Sequence, residues 1–479
     1  MTIPLPGTHF PRATSRREFL RQAGGGFGAL ALAWLMDQEA RAEVKDAANP
    51  LAPRPPHFPG KAQRVIFLFM HGGPSHLETF DPKPELQRLG GSPLPASFGP
   101  VETRRKVATN PLLATKRTFR KYGKSGTEVS DFLPNVAKCV DDLAVVRSCW
   151  ADSVNHPQAV YQMNTGSILM GKPSLGSWVG YGLGTENQNL PAFVVLPDPT
   201  GGIKGGPPAY GAGYLPASYQ GTIMRGGASP ILDLRSAGGL SDREQRGVLD
   251  MISALNAHHH ESRSDDGELS ARIQSYELAY RMQSAAPGAV DLSQESAETK
   301  RLYGIDDPRS AEFGTRCLLA RRLVERGVRF VQLYSGDVGG WDAHEDVETN
   351  HAAMCAKTDK AVAGLLTDLK RRGLFDSTLV IWGGEFGRMP MSEQGRGRDH
   401  NPHGFTMWFA GAGIKGGTVH GATDSVGLRA EVDRVHVHDL HATILHLLGI
   451  DHTRLTFPIN GRDDRLTDTS GQVVRSILS

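Results

Sequence analysis

The sequence predicts an α/β fold with a largely parallel central sheet flanked by helices. Three observations carry that expectation. Short runs that are apolar at every position recur along the chain, several stop at glycine-rich segments, and helical patterns lie between several of them. A strand that is apolar throughout is buried on both faces, as in a parallel sheet, and the helices between supply the crossovers. The composition allows it. The 479 residues are 39% hydrophobic and 22% charged, ordinary values for a globular chain with a sizeable core. Lys plus Arg number 53 and Asp plus Glu 51, a formal charge of +2. Such a balance leaves no electrostatic footprint for nucleic acid or an anionic membrane surface. The four cysteines (Cys139, Cys149, Cys317, Cys355) are too few for a disulfide scaffold and match no zinc-ribbon spacing. The 18 histidines and 56 glycines direct attention instead to metal ligation and tight loops.

The chain opens on an address. Ser15-Arg16-Arg17-Glu18-Phe19-Leu20-Arg21 precedes a small and apolar run from Ala23 to Met36, followed by Ala40-Arg41-Ala42. Charged, apolar and cleavable regions in that order predict a signal peptide over residues 1–42. The apolar run is shorter than the ~20 residues a membrane span needs, so no stable span is expected. The paired arginines resemble the twin-arginine signal, which implies export to the periplasm or beyond. A Pro-rich linker over 43–63 leads into one domain, 64–479.

Within that domain Val65 to Met70 is the first buried strand, ended by His71-Gly72-Gly73-Pro74. Similar runs cover Leu143 to Val146, Ala192 to Leu196, Val328 to Tyr334, Thr378 to Trp382 and Thr406 to Ala410. Helical patterns cover Asp346 to Arg372 and Asp439 to Leu448, the second stopped by Gly449. Gly201 to Gly227 is dense in Gly, Pro and Tyr and reads as a surface insertion near 200–230. His258-His259-His260, in a polar helical stretch, reads as solvated surface.

Ligands of a parallel sheet bind beyond the C-terminal ends of its strands. Four loops there are unusual. They carry His71-Gly72-Gly73-Pro74-Ser75-His76, Ser335-Gly336 to Asp342-Ala343-His344, Gly383-Gly384-Glu385-Phe386-Gly387-Arg388, and Asp399-His400-Asn401-Pro402-His403. Imidazole and carboxylate together suit zinc or another divalent transition metal better than calcium, which takes oxygen alone. Asp342 and His344, two apart, can face one ion, and His400 and His403 can add ligands. Each residue alone reads more simply as a cap or a hydrogen-bonded loop histidine; four coincident loops favour a metal site.

These residues resemble a family of twin-arginine-exported bacterial proteins known as domain of unknown function 1501. The resemblance rests on Gly340-Trp341-Asp342-Ala343-His344, on Gly383 to Arg388, on Asp399 to His403, and on His71 to His76 with Phe80-Asp81-Pro82-Lys83-Pro84. It runs from about Arg64 to the C-terminus. More distantly, Leu133-Pro134-Asn135-Val136, Asn164-Thr165-Gly166 and Leu448-Gly449-Ile450 resemble segments of the alkaline phosphatase and sulfatase superfamily. That resemblance implies an alkaline phosphatase/sulfatase-like α/β fold, one or two divalent ions over the sheet edge, and a nucleophile at a helix N-terminus. The chain departs from it in three places. His71 stands where the superfamily has Asp, Glu385-Phe386 where it has Asp-His or Asp-Asn, and the Cys/Ser-x-Pro-x-Arg motif is absent. The nucleophile position falls on His156, or on Asn155.

The resulting expectation is an exported metal-dependent hydrolase of phosphate, sulfate or related esters, acting on a small or polymeric anionic substrate. The alternative is a catalytically degenerate scaffold that binds a ligand or partner. Asp342, His344 and His403 are expected within about 5 Å of a common point, with Glu385, His71 and His400 as further ligands. His156 is the candidate nucleophile, base or extra ligand. Arg388 and Arg398 are candidates to hold a tetrahedral anion, with an exposed salt bridge as the plainer reading.

Overall fold

Every second residue of the first strand points to the opposite side of one sheet, and both sides are dry. Val65, Phe67 and Phe69 join one apolar cluster; Ile66, Leu68 and Met70 join another. This is why the run is apolar at every position. The computed structural model describes residues 49–225, 241–261, 267–336 and 339–479. Residues 1–42, where a signal peptide is expected, residues 43–48 of the expected linker, Gly226 and Gly227, Asp337 and Val338, and the His258 to His260 side chains lie outside the described residues.

Among the described residues nine strands form the central sheet. In chain order they are β1 (Arg64–Met70), β2 (Leu143–Trp150), β3 (Phe193–Leu196), β4 (Thr222–Ile223), β5 (Phe330–Ser335), β6 (Thr378–Gly383), β7 (Phe405–Gly411), β8 (Thr418–His420) and β9 (Val435–His436). Their spatial order is β8-β2-β7-β6-β1-β5-β3-β4, and β9 also pairs with β2. Only β7 runs against its neighbours β2 and β6; the remaining pairs are parallel. The expected sheet is thus present, with one antiparallel strand inside it.

Helices cover both faces. On one side lie α1 (His156–Thr165), α2 (Leu175–Leu183) and, late in the chain, a helix over Val437–Leu447, contributing Val160, Trp178 and Ile444 to the first cluster. On the other lie α3 (Ala311–Glu325) and α4 (Val347–Arg371), contributing Cys317, Leu323, Val362 and Leu365 to the second. Asp346 caps α4 by accepting the Thr349 amide, and Gly449 follows the late helix at φ +78°, a conformation that suits glycine. Among the described residues no helix is long and apolar enough to cross a membrane.

One element differs from the expectation. Gly387–Glu393 and Gly397–Asn401 pair as an antiparallel ribbon outside the central sheet. Its turn places Gln394 at φ +51° and Gly395 at φ +79°, the two positive angles of a primed hairpin turn. Arg388, Arg398 and His400 therefore sit on strands, not in loops.

Candidate metal centre

The site lies where β1, β5 and β6 end. Gly72 follows β1 at φ +110°, and a β-carbon there would fall 2.6 Å from the Asp342 amide nitrogen. A glycine at this position lets the loop after β1 touch the loop that carries Asp342, which is further held by a bond from the Trp341 amide to the His71 carbonyl. Gly397 does the same from the ribbon: a β-carbon there would overlap the His344 carbonyl, and the next amide, of Arg398, donates to Ala343.

These close approaches bring four side chains together. Asp342, His156, His344 and His400 each offer a ligand atom within 4.8 Å of the others. Asp342 Oδ1 lies 2.9 Å from His344 Nε2 and 3.2 Å from His400 Nε2. The two ring nitrogens are 3.0 Å apart. His156 Nε2 is 3.0 Å from Asp342 Oδ2.

The outer side of each ring fixes its tautomer. His344 Nδ1 donates to Glu393 Oε2, His400 Nδ1 to the Val154 carbonyl, and His156 Nδ1 to Glu385 Oε1, each at 2.6 Å. A carboxylate or carbonyl can only accept, so all three protons sit on Nδ1 and all three Nε2 lone pairs face inward. His156 Nε2 is buried and makes no hydrogen bond despite its closeness to Asp342. One proton placed between His344, His400 and Asp342 would satisfy that corner and leave His156 facing a carboxylate oxygen. A divalent cation satisfies all four atoms at once, and imidazoles backed by carboxylate and carbonyl acceptors are the arrangement metal-binding histidines use.

Electrostatics agree. Burial would raise the Asp342 carboxyl, but its polar neighbours, the Arg388 guanidinium among them, outweigh it and hold the group below the usual carboxylate range. Burial, helped by the Arg388 charge, drives His400 well below its ordinary value, so its lone pair is available at neutral pH. Asp342 and His344 keep 10% and 9% of their side-chain surface, so the centre can be reached from solvent.

Two other groups of potential ligands adjoin this one. His71, His156 and Glu385 form the first, in which His71 and Glu385 already accept hydrogen bonds. His71 Nε2 accepts the Lys204 amide at 3.1 Å, and Glu385 takes the Gly72 amide as well as His156. The second is His344, Glu393 and Asp399, where Asp399 accepts the Arg105 and His400 amides. Both groups support the centre from outside.

Three expectations need correction. His403 joins none of the clusters found among the described residues; it lies past the ribbon, with Arg429 and Arg434 nearby lowering its proton affinity alongside burial. His400, on the ribbon, stands at the centre where His403 was expected. Arg388 is fully buried and is not an anion clamp. Its guanidinium donates to the Gly73 and Arg398 carbonyls, to Gly72, and to Asp342 Oδ1 at 2.7 Å. Arg398, also buried, is tied to Glu78 and the Met389, Pro390 and Leu113 carbonyls, so its guanidinium is occupied within the protein and does not face solvent.

Sequence reasoning missed Glu393 and Lys204. Glu393, the last residue of the first ribbon strand, backs His344, and the Gln394-Gly395 turn was the signal that could have placed it on a strand. Lys204, from the glycine-rich segment after β3, reaches Asp342 Oδ2 at 2.6 Å; nothing in its neighbourhood of sequence announces that contact. His156 is the first residue of α1, with Asn155 at the cap.

The chain belongs to the family described as protein of unknown function (DUF1501), whose model matches residues 62–478. No curated protein sequence matches it. Among solved structures it is similar to the PsFucS1 sulfatase from Pseudoalteromonas sp., at 12% identity over 85% of this chain and 72% of that one, with a TM-score of 0.34. It is also similar to the alkaline phosphatase of the Antarctic bacterium TAB5, at 11% identity over 81% and 98%, TM-score 0.34. A third is the lipoteichoic acid synthase LtaP from Listeria monocytogenes, at 10% identity over 85% and 78%, TM-score 0.32. At those scores the likenesses carry no weight for chemistry.

Proposed function

We propose that the chain is a metal-dependent hydrolase of an anionic ester, a phosphate, a sulfate or a related group. The observation behind this is the inward convergence of three Nε2 lone pairs and one carboxylate, each ring backed by an acceptor on its far side. Three imidazoles and a carboxylate suit zinc or another divalent transition metal. A divalent ion held there supplies Lewis-acid charge that polarises an ester oxygen and acidifies water.

The protein's own groups have distinct tasks. Arg388 fixes Asp342 through Oδ1, and a carboxylate oxygen retains a further lone pair beyond that bond. Glu385, itself anchored on the Gly72 amide, sets the ring angle of His156. Lys204 is 24% exposed at the mouth of the centre, where its ammonium can receive the negative charge of an incoming ester. Near-complete burial of His156 and His400 keeps bulk water from the floor.

A second reading has one observation in its favour. The residue at the start of α1 is His156, not a serine, threonine or cysteine, and the Cys149 thiol is buried with its pKa raised. A scaffold that binds an ester without cleaving it would look the same. The protein assayed on phosphate monoesters, phosphate diesters and sulfate esters separates the two. Turnover that a chelator removes and zinc or manganese restores supports the hydrolase. Metal-replete protein that binds such esters and turns none over supports the scaffold.

A further inference from the structure

A second polar cavity, of about 620 Å³, opens on the same edge of the sheet as the metal centre. Trp150, the last residue of β2, lines it together with His436, its partner on β9, and both strands run parallel to each other. Arg434, Asp439, His452 and Arg465 supply its other titratable side chains. Its volume falls in the range of small-ligand sites.

The charge of that wall is unbalanced. Asp439 is its one carboxylate, and both oxygens already accept amides, Oδ1 from Gln472 at 2.7 Å and Oδ2 from His436 at 2.8 Å. Asp152, just outside the wall, is engaged by His436 and Gln162. Among the described residues neither Arg434 nor Arg465 has a carboxylate partner. Arg434, exposed, lies over the Trp150 ring at 4.6 Å from its centroid, a cation–π contact that keeps the guanidinium at the cavity wall. Arg465 donates only its Nε, to the Asp468 carbonyl. The buried arginines of this protein are different: Arg388, Arg398 and Arg316 each meet a carboxylate. Two planar, fork-shaped donors left open on one cavity fit a tetrahedral oxyanion.

We propose that this cavity is an anion subsite, which takes a sulfate or phosphate group of the substrate other than the one cleaved. The assignment of the ligand to the substrate rests on the hydrolase reading; the binding itself does not. It implies a substrate with at least two charged ester groups, one at each site.

The test is calorimetric titration of the full chain, metal-loaded, with a disulfated disaccharide in one arm and inorganic pyrophosphate in the other. The arms tell a sulfate from a phosphate site. Binding by the wild-type chain should weaken about tenfold or more in the Arg434→Gln/Arg465→Gln variant, as expected for lost charge-assisted hydrogen bonds. The variant's metal content should stay unchanged. Arg465→Gln alone should lie between. His344→Ala, which removes a metal ligand, should leave at least one binding event sensitive to the two arginines. Neither probe binding the wild type, or equal binding by the double variant, overturns the proposal. If the arginine-dependent binding persists while the metal-loaded enzyme cleaves no ester, the hydrolase reading fails and the anion site stands.

Discussion

Two regions of this protein bury many charges, and they do it differently. Between α3 and α4, Arg321 is 1% exposed and meets Glu295 at 2.7 Å, Glu325 at 2.6 Å and Asp368 at 2.9 Å. Arg322 and Arg372 add further contacts to Glu295 and Asp368, and Tyr303 donates to Asp368. Each carboxylate there meets at least one arginine, and Arg321 Nε, which makes no hydrogen bond, still lies 2.9 Å from Asp368 Oδ2, so positive and negative groups pair within the network. At the sheet edge the count does not close. Three Nε2 lone pairs converge beside Asp342, whose own charge already attracts Arg388 and Lys204. Burial of charge alone therefore marks neither region as functional. A surplus of acceptors pointing at one spot does, because the fold tolerates such a surplus only where a cation relieves it.

This contrast can be broken by mutation. The largest effect is expected at the centre. His344→Ala should cut metal affinity by more than the ~10–100-fold typical of an outer partner and leave the thermal midpoint of the metal-free chain nearly unchanged. Equilibrium dialysis and melting of the same preparations read both. Next in size, Glu295→Ala removes the one carboxylate that meets Arg322 and one of three that meet Arg321, and should cost about 3 kcal/mol in denaturant unfolding, with metal binding unaffected. A variant that instead loses metal would mean the two regions are coupled and the contrast is false.

Glu393→Gln sharpens the comparison. It keeps a hydrogen-bond acceptor for His344 and removes the charge behind it, and metal affinity should fall by about 10–100-fold with the fold intact. The smallest effect concerns a histidine that belongs to neither cluster. Burial lowers His441 to about 3, partly opposed by its bond to the Met163 carbonyl. The folded state thus holds the neutral ring. Its stabilising contribution is complete above the unfolded value of about 6.5 and is lost progressively as pH falls toward about 3. His441→Gln should remove roughly 1 kcal/mol of the stability lost between neutral pH and pH 5.5, a difference measurable by denaturant titration at the two pH values.

The fold was legible wherever burial was two-sided. Val65 to Met70 could hardly be read otherwise, because both apolar clusters claim alternate residues of it. Asp342, His344 and Glu385 were legible as chemistry because glycines flank them at strand ends. What escaped was set by tertiary register. His400 and His403 look equivalent in sequence, yet the ribbon ends at Asn401, so one ring is carried to Asp342 and the other is carried past it. Arg388 looked like a surface cation because sequence does not show that Gly72 and Gly73 turn their carbonyls onto it. Lys204 comes from a glycine-rich segment whose path no local pattern specifies.

The central claim is that the Asp342, His156, His344 and His400 atoms form one cation site. Its most direct test is the metal stoichiometry of the chelator-treated, refilled wild-type chain, measured by elemental mass spectrometry after removal of free ion. The account predicts about one divalent transition metal per chain, held at neutral pH. A folded chain that takes up no zinc, manganese or iron at that stoichiometry would contradict it.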